Sequence, residues 1–291
     1  MHEFMVDTPN GPHMVRSVGS GSPMMVVPGG PGWGADYMID SLSEALAGAH
    51  RLVFVDQRGT GASPVGIGPL TADAFIQDMA AIADRLGIDE LDVLGHSFGG
   101  LQVLMFAIAY PDRVGQIVIA DGDPPTRGLW ERASASGSPF DQRTRPEDIA
   151  EMAAVTADPD WMADQALLDR YLVAAYRPLY ASPTVATTIR HGMDGKRFTQ
   201  LQLTTQAVRD ELGAWDITAQ LTNVSAPVLL VYCRESIHGT ATAESLRGAL
   251  PNSKLIWVEG GHAPFIEDPS AFTSAVNAFL GDQQGQSQTR Q

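Results

Sequence analysis

The chain has 291 residues, with 34 acidic and 19 basic side chains and a net charge of −15 at pH 7. That balance argues against nucleic acid or an anionic membrane surface as a partner, because both call for a positive face. The length suits one large α/β domain or a core with an insertion, and the 44% hydrophobic content is ordinary for a soluble globular protein.

Met1–Asp7 has neither the basic region nor the apolar run of a signal peptide. No apolar stretch reaches the roughly 18 residues of a membrane span. The single cysteine, Cys233, lies in the apolar run Val228–Cys233 and is expected as a buried strand thiol. It cannot form an internal disulfide, which fits a reducing cytoplasm.

In chain order, Phe4–Val18 reads as a strand or hairpin broken at Asn10-Gly11-Pro12, and Met24–Val27 as a short buried strand. The strand runs into the turn Pro28-Gly29-Gly30-Pro31-Gly32. A helix is expected over Tyr37–Ala47, a strand over Leu52–Asp56 and a turn at Gln57-Arg58-Gly59-Thr60-Gly61. Thr71–Leu86 places Phe75, Met79, Ile82 and Leu86 on one helical face, and Gly87 stops the helix. Strand 91–94, helix Phe98–Tyr110 and strand Gly115–Ala120 follow. Strand and helix alternate with short connections, which predicts a parallel sheet covered on both faces.

The alternation breaks at Pro124-Pro125. Residues 126–213 carry helical segments, acids and aromatics but no clear strand, and read as a helical insertion. Trp215–Leu221 re-enters the core. Strand Pro227–Cys233, helix Ala241–Leu250 and strand Lys254–Val258 complete the alternation, and Asp268-Pro269 opens the last helix. The domain reading is therefore a core of 1–125 and 214–282, a helical cap over 126–213 and a polar, disordered tail over 283–291.

The chemistry gathers at Leu91–Gly100, where an apolar strand, a tight turn and an apolar helix surround Gly95-His96-Ser97-Phe98-Gly99. This is the G-x-S-x-G elbow, which strains the serine and exposes its hydroxyl at a helix N-terminus. Gly95 and Gly99 remove the Cβ atoms that would collide there. Ser97 is thus the expected nucleophile. A serine hydroxyl needs a base. His262, between the last strand and the last helix, is the histidine placed for that role. His96 sits on the elbow itself, His191 falls in the insertion, and His2, His13, His50 and His238 have no supporting context. A tetrahedral intermediate needs two N–H donors. Phe98, after the nucleophile, and Gly30, in the glycine-rich turn, are expected to supply them. No H-E-x-x-H motif or cysteine cluster marks a metal, and no cofactor is expected.

Three segments carry a family resemblance: Pro28-Gly29-Gly30-Pro31-Gly32, Asp56-Gln57-Arg58-Gly59-Thr60-Gly61-Ala62-Ser63 and Gly95-His96-Ser97-Phe98-Gly99-Gly100. With Trp215-Asp216 and Gly261-His262-Ala263-Pro264-Phe265, the chain resembles the α/β-hydrolases, and within them the prolyl iminopeptidase-like branch. The resemblance implies an α/β-hydrolase fold, a mostly parallel sheet with helices on both faces and a helical cap at the insertion. Two positions depart from the pattern. Pro28 replaces the branch's histidine, and Ser236 stands where the branch has its catalytic aspartate.

Two acids could replace that aspartate, both preserving the order Ser, acid, His. Asp121 ends a strand in Ile119-Ala120-Asp121-Gly122-Asp123, where some relatives, certain dehalogenases among them, place their acid. Glu235 lies one residue before the usual site. Asp121 is favoured, because a one-residue shift at a strand end turns a side chain to the other face.

The resulting expectation is a serine hydrolase cleaving an ester, lactone, amide or short peptide. Aminopeptidase action, which the resemblance implies, needs carboxylates near the cap to pair with an amine. Glu131, Asp148, Glu151 and Asp194 are among the insertion's acids, and sequence does not say which of them face a pocket. Trp130, Phe140, Trp161, Tyr171, Tyr176, Tyr180 and Phe198 suggest an apolar lid or the cap's own core. The alternatives are a non-hydrolytic enzyme of the same fold, a lyase or cyclase acting on a hydrophobic metabolite, and a ligand-binding protein.

Overall fold

Eight strands form one sheet in the order β1-β2-β4-β3-β5-β6-β7-β8. They are β1 (His2–Thr8), β2 (Gly11–Val18), β3 (Ser22–Val27), β4 (His50–Val55), β5 (Leu91–His96), β6 (Val114–Ala120), β7 (Val228–Cys233) and β8 (Ser253–Val258). This is a computed structural model, and it describes residues 1–64 and 68–288, with side chains through 281. β1 and β2 form the antiparallel hairpin expected around Asn10-Gly11, and β2 pairs antiparallel with β4. Every other pairing is parallel.

Parallel strands need crossovers, and helices supply them. The core helices are α1 (Asp36–Leu46), α2 (Ala72–Arg85) and α3 (Phe98–Ala109). Between β6 and β7 come α4 (Arg127–Ala133), α5 (Pro139–Arg143), α6 (Pro146–Thr156), α7 (Gln165–Tyr176), α8 (Gly195–Leu212) and the short α9 (Thr218–Leu221). α10 (Gly239–Ala249), α11 (Pro264–Glu267) and α12 (Pro269–Gln288) complete the chain. α12 therefore takes in residues 283–288, expected as disordered tail, while 289–291 lie outside the described residues. Extending a formed helix adds one hydrogen bond per residue fixed, so a polar sequence can continue a helix that the buried Phe272 and Val276 have anchored.

The sheet's alternation builds two cores. Val93, Ile117, Leu230 and Tyr232 face Phe106 of α3 on one side. Leu94, Val118, Val231 and Cys233 face Leu42 of α1 and Phe272 of α12 on the other. All six residues of β7 are buried, which is why it reads as a continuous apolar run. Cys233 is among them, and burial pushes its thiol pKa well up, so it stays protonated.

The Asp56–Ser63 segment is a structural staple. Asp56 accepts from Ala35 N–H at 2.8 Å and Ala62 N–H at 2.7 Å, and meets Arg16 at 3.1 Å. Ser63 Oγ donates to Asp56 C=O at 2.7 Å and accepts from Met14 N–H at 3.0 Å. Arg58 reaches Asp78 of α2 through two contacts of 2.6 and 2.7 Å, both side chains buried. The turn after β4 is thus tied to β2, α1 and α2.

At the base of the insertion, Thr126 and Asp216 form an antiparallel bridge. Arg127 N–H donates to Trp215 C=O and Ile217 N–H to Pro125 C=O. The insertion leaves and returns through one stitched neck above the carboxyl ends of β5 and β6.

Candidate active site

Ser97 sits between β5 and α3 with φ 54° and ψ −124°, a conformation L-residues avoid. Its backbone is held on three sides. Ser97 N–H donates to Ala120 C=O at 3.2 Å, and Ser97 C=O accepts from Gly100 N–H at 2.9 Å and Asp123 N–H at 2.8 Å. The flanking glycines are steric requirements: a Cβ on Gly95 would lie 2.2 Å from Gly99 C=O, and one on Gly99 2.3 Å from Val27 C=O. Phe98 opens α3, its side chain buried against Leu101, Val208 and Trp215. Its N–H belongs to the first helical turn, where no intrahelical acceptor exists.

His262 lies on the loop between β8 and α11. Its Nδ1 is 2.8 Å from Asp121 Oδ2, and both side chains are buried. Asp121 follows β6 at φ 45°, its N–H donating to Val231 C=O at 2.8 Å. Its other oxygen accepts from Cys233 N–H at 3.3 Å, and the Ser236 hydroxyl hydrogen-bonds the same carboxyl. The residue occupying the aspartate's usual place thus supports the acid on the neighbouring strand. Glu235 does not join them. Its side chain is exposed and lies 3.9 Å from Arg143.

Burial pushes the Asp121 carboxyl up to about 7 and pushes the His262 imidazole well below its ordinary value. Neutral His262 is the form a general base needs. The close contact acts the other way on both groups, so it helps most when the imidazole has taken a proton.

Ser97 Oγ meets Asp123 Oδ1 at 3.4 Å, and the described geometry contains no hydrogen bond from it to His262. For Ser97 to pass a proton to His262, its hydroxyl would have to swing toward the imidazole nitrogen that Asp121 leaves free. Such contacts are often loose before a substrate binds. Asp123 also faces His238 Nε2 at 3.2 Å, and burial raises the Asp123 pKa. Asp121, His238 and His262 bring three donor atoms within 4.8 Å of one another, close enough for a divalent ion. The 2.8 Å contact already engages one donor of Asp121 and one of His262.

Two supports went unread in the sequence. Glu267 accepts from Gly261, His262 and Ala263 N–H at 2.8 to 3.0 Å and from Ala181 N–H of the insertion at 2.9 Å. It clamps the His262 loop. His96, set aside as part of the elbow, links three segments. Gly29 N–H donates to Tyr37 Oη at 2.8 Å, Tyr37 lies 2.6 Å from His96 Nδ1, and His96 Nε2 lies 3.0 Å from His262 C=O. Because a carbonyl only accepts, His96 carries its proton on Nε2 and takes the Tyr37 hydroxyl proton on Nδ1. Burial lowers its pKa well below the ordinary value, in keeping with a neutral ring.

A cavity of about 670 Å³ opens over Ser97, Gly30, Asp123, His238 and His262. Trp130, Phe140, Tyr171, Tyr176, Tyr180 and Phe198 of the insertion line it, whereas Trp161 packs behind on Tyr171 and Phe198. Among the described residues, none of the insertion's acids lines it. No helix among them is long and apolar enough to cross a membrane.

A Pseudomonas syringae protein, RutD, which carries the name of a carbamate hydrolase, is 29% identical over 269 residues, covering 90% of this chain and 95% of that protein. A proline iminopeptidase of Heyndrickxia coagulans is 24% identical, with 90% and 91% covered. The crystal structure of a proline iminopeptidase from Mycobacterium smegmatis superposes with a TM-score of 0.72 at 22% identity, covering 97% of this chain and 98% of that one. Residues 22–269 match the family model for the alpha/beta hydrolase fold, so with its elbow, sheet order and insertion the chain belongs to the α/β-hydrolase family.

Proposed function

We propose that the protein is a serine hydrolase acting on an ester, lactone or amide of a small molecule through a Ser97 acyl-enzyme. The observation that carries this reading is that His262, paired at 2.8 Å with the buried Asp121, lines one cavity with a serine held at φ 54° on a helix N-terminus.

His262 takes the Ser97 proton as Oγ attacks the carbonyl carbon. The tetrahedral oxyanion is held by the N–H groups of Phe98 and Gly30. Collapse expels the alcohol or amine, which leaves with the proton from His262. Water, deprotonated by His262, then attacks the acyl-enzyme, and carboxylic acid and free Ser97 result. Asp121 orients the imidazole and stabilises the imidazolium that forms twice per cycle. The helical insertion acts as a cap that supplies the aromatic walls.

The relatives named for carbamate hydrolysis and for removal of N-terminal proline bracket the substrate class. A panel of 4-nitrophenyl esters, lactones, carbamates and proline amides tests the reading. Turnover of an ester, lactone or amide that disappears in Ser97→Ala supports it. Panel turnover that survives Ser97→Ala removes the acyl-enzyme, and no panel turnover by folded protein replaces the reading with the non-hydrolytic one, which the resting Ser97–Asp123 contact favours.

A further inference from the structure

Among the described residues, one permanent positive charge lines the cavity. Arg209, in the last turn of α8, is half-buried and is the only Lys or Arg lining the cavity among the described residues. Its guanidinium stacks on Trp130 at 4.6 Å, and Arg127 approaches the same ring at 4.8 Å. The two cations differ in their partners. Arg127 is neutralised by Glu131 at 2.9 Å. Arg209 has no carboxylate within ion-pair distance and no hydrogen-bond acceptor among the described residues.

Burial lowers the Arg209 pKa, the Asp123 charge raises it and Arg127 lowers it again. A guanidinium nonetheless stays charged, and it presents five N–H donors and no acceptor. Stacking occupies its face and leaves the in-plane donors without acceptors. His191, on the same cavity, is held down to about 4 by burial and is neutral at pH 7. The insertion therefore turns a cation, and no carboxylate, toward the substrate space. An ammonium group would meet Arg209 as a like charge, with Asp123 beside Ser97 as the one carboxylate lining the cavity among the described residues.

We infer that the substrate is a monoanion: an ester, lactone or amide carrying a carboxylate that Arg209 grips through paired N–H···O bonds. The planar guanidinium fork matches a carboxylate in that way. One guanidinium balances one negative charge, and the nearby Asp123 disfavours a dianion such as a phosphate monoester. The bond that is cut rests on the acyl-enzyme reading above, whereas the carboxylate site stands on Arg209.

Two measurements on the full chain test it. In calorimetry, 4-phenylbutyrate is compared with its neutral amide. In kinetics, mono-4-nitrophenyl glutarate is compared with 4-nitrophenyl pentanoate. The carboxylate is expected to bind, and its ester to be cleaved, with a preference of about 10- to 100-fold, the range for hydrogen bonds to charged groups. Arg209→Gln brings both ratios close to one, Arg209→Glu reverses them, and Arg209→Lys, which keeps the charge but not the fork, restores part. Circular dichroism checks that each variant folds. Phenylbutyrate binding no tighter than its amide, or a preference unchanged in Arg209→Gln, overturns the inference. Phenyl phosphate binding tighter than phenylbutyrate overturns the choice of a monocarboxylate. Carboxylate binding through Arg209 with neither ester cleaved upholds the inference and removes the acyl-enzyme reading instead.

Discussion

His262 Nδ1 lies 2.8 Å from Asp121 Oδ2, a contact between residues 141 positions apart that only the sheet order brings together. β6 and β8 flank β7, so the acid leaves one strand end and the base arrives from another, with β7 between them. Asp121→Asn keeps the shape but loses an acceptor and the negative charge. If Asp121 serves as proposed, this lowers kcat by about 10³- to 10⁴-fold, as in known catalytic triads. Glu235→Gln removes only an exposed pairing with Arg143 and is expected to change kcat by less than about twofold, since surface ion pairs contribute little. Steady-state kinetics on the substrate found by the ester panel checks both.

The acid limb of activity should hold two steps. Burial pushes the Asp121 carboxyl up to about 7, so a first loss is expected as pH falls through 7, where Asp121 takes a proton and stops stabilising the imidazolium. The second lies below the ordinary histidine value, where His262 itself is protonated, because burial lowers its pKa. A profile of kcat/KM between pH 4 and 9 reads this directly. Full activity retained down to pH 6 would show that the contact with His262 outweighs burial at Asp121.

Glu267 clamps the His262 loop through its backbone and does not line the cavity. Glu267→Gln replaces one accepting oxygen with a donor, so at least one of the four backbone N–H groups loses its partner. A loss of about 1–3 kcal/mol in stability is expected from an unsatisfied buried group. The same change should lower kcat more than it raises KM, because the loop that holds the base loosens. Denaturant unfolding and kinetics separate the two effects.

The Arg58–Asp78 pair is structural, and its loss should leave the chemistry intact. Asp78→Ala removes the carboxylate from a buried guanidinium and should cost about 3–5 kcal/mol. The fraction that remains folded should still react at Ser97.

The elbow was legible because its demands are local: Gly95 and Gly99 are needed by atoms within a few residues or on the adjacent strand. Strands were legible where burial on both faces leaves an apolar run, as in β7. The sequence predicts a strand from Leu52, but β4 begins at His50, because Ser22 and Pro23 of β3 pair with polar residues that composition does not mark as strand. Asp121 could be favoured over Glu235 from the parity of side chains at a strand end. Asp123, His238, Glu267 and Arg209 could not be read, since each matters through a contact with a distant segment. Helical periodicity in α8 does not say whether Arg209 faces the cavity or the solvent. The supporting role of Ser236 was hidden too, because a hydroxyl at the aspartate's place reads as a loss until Asp121 is seen beside it.

The most direct test of the account is the intact mass of the protein after incubation with a fluorophosphonate, for wild type, Ser97→Ala and His262→Ala. One covalent adduct on wild type, none on Ser97→Ala and greatly slowed labelling of His262→Ala are expected. An unlabelled wild type that is folded, or an adduct that persists in Ser97→Ala, would contradict the assignment of Ser97 as the activated nucleophile.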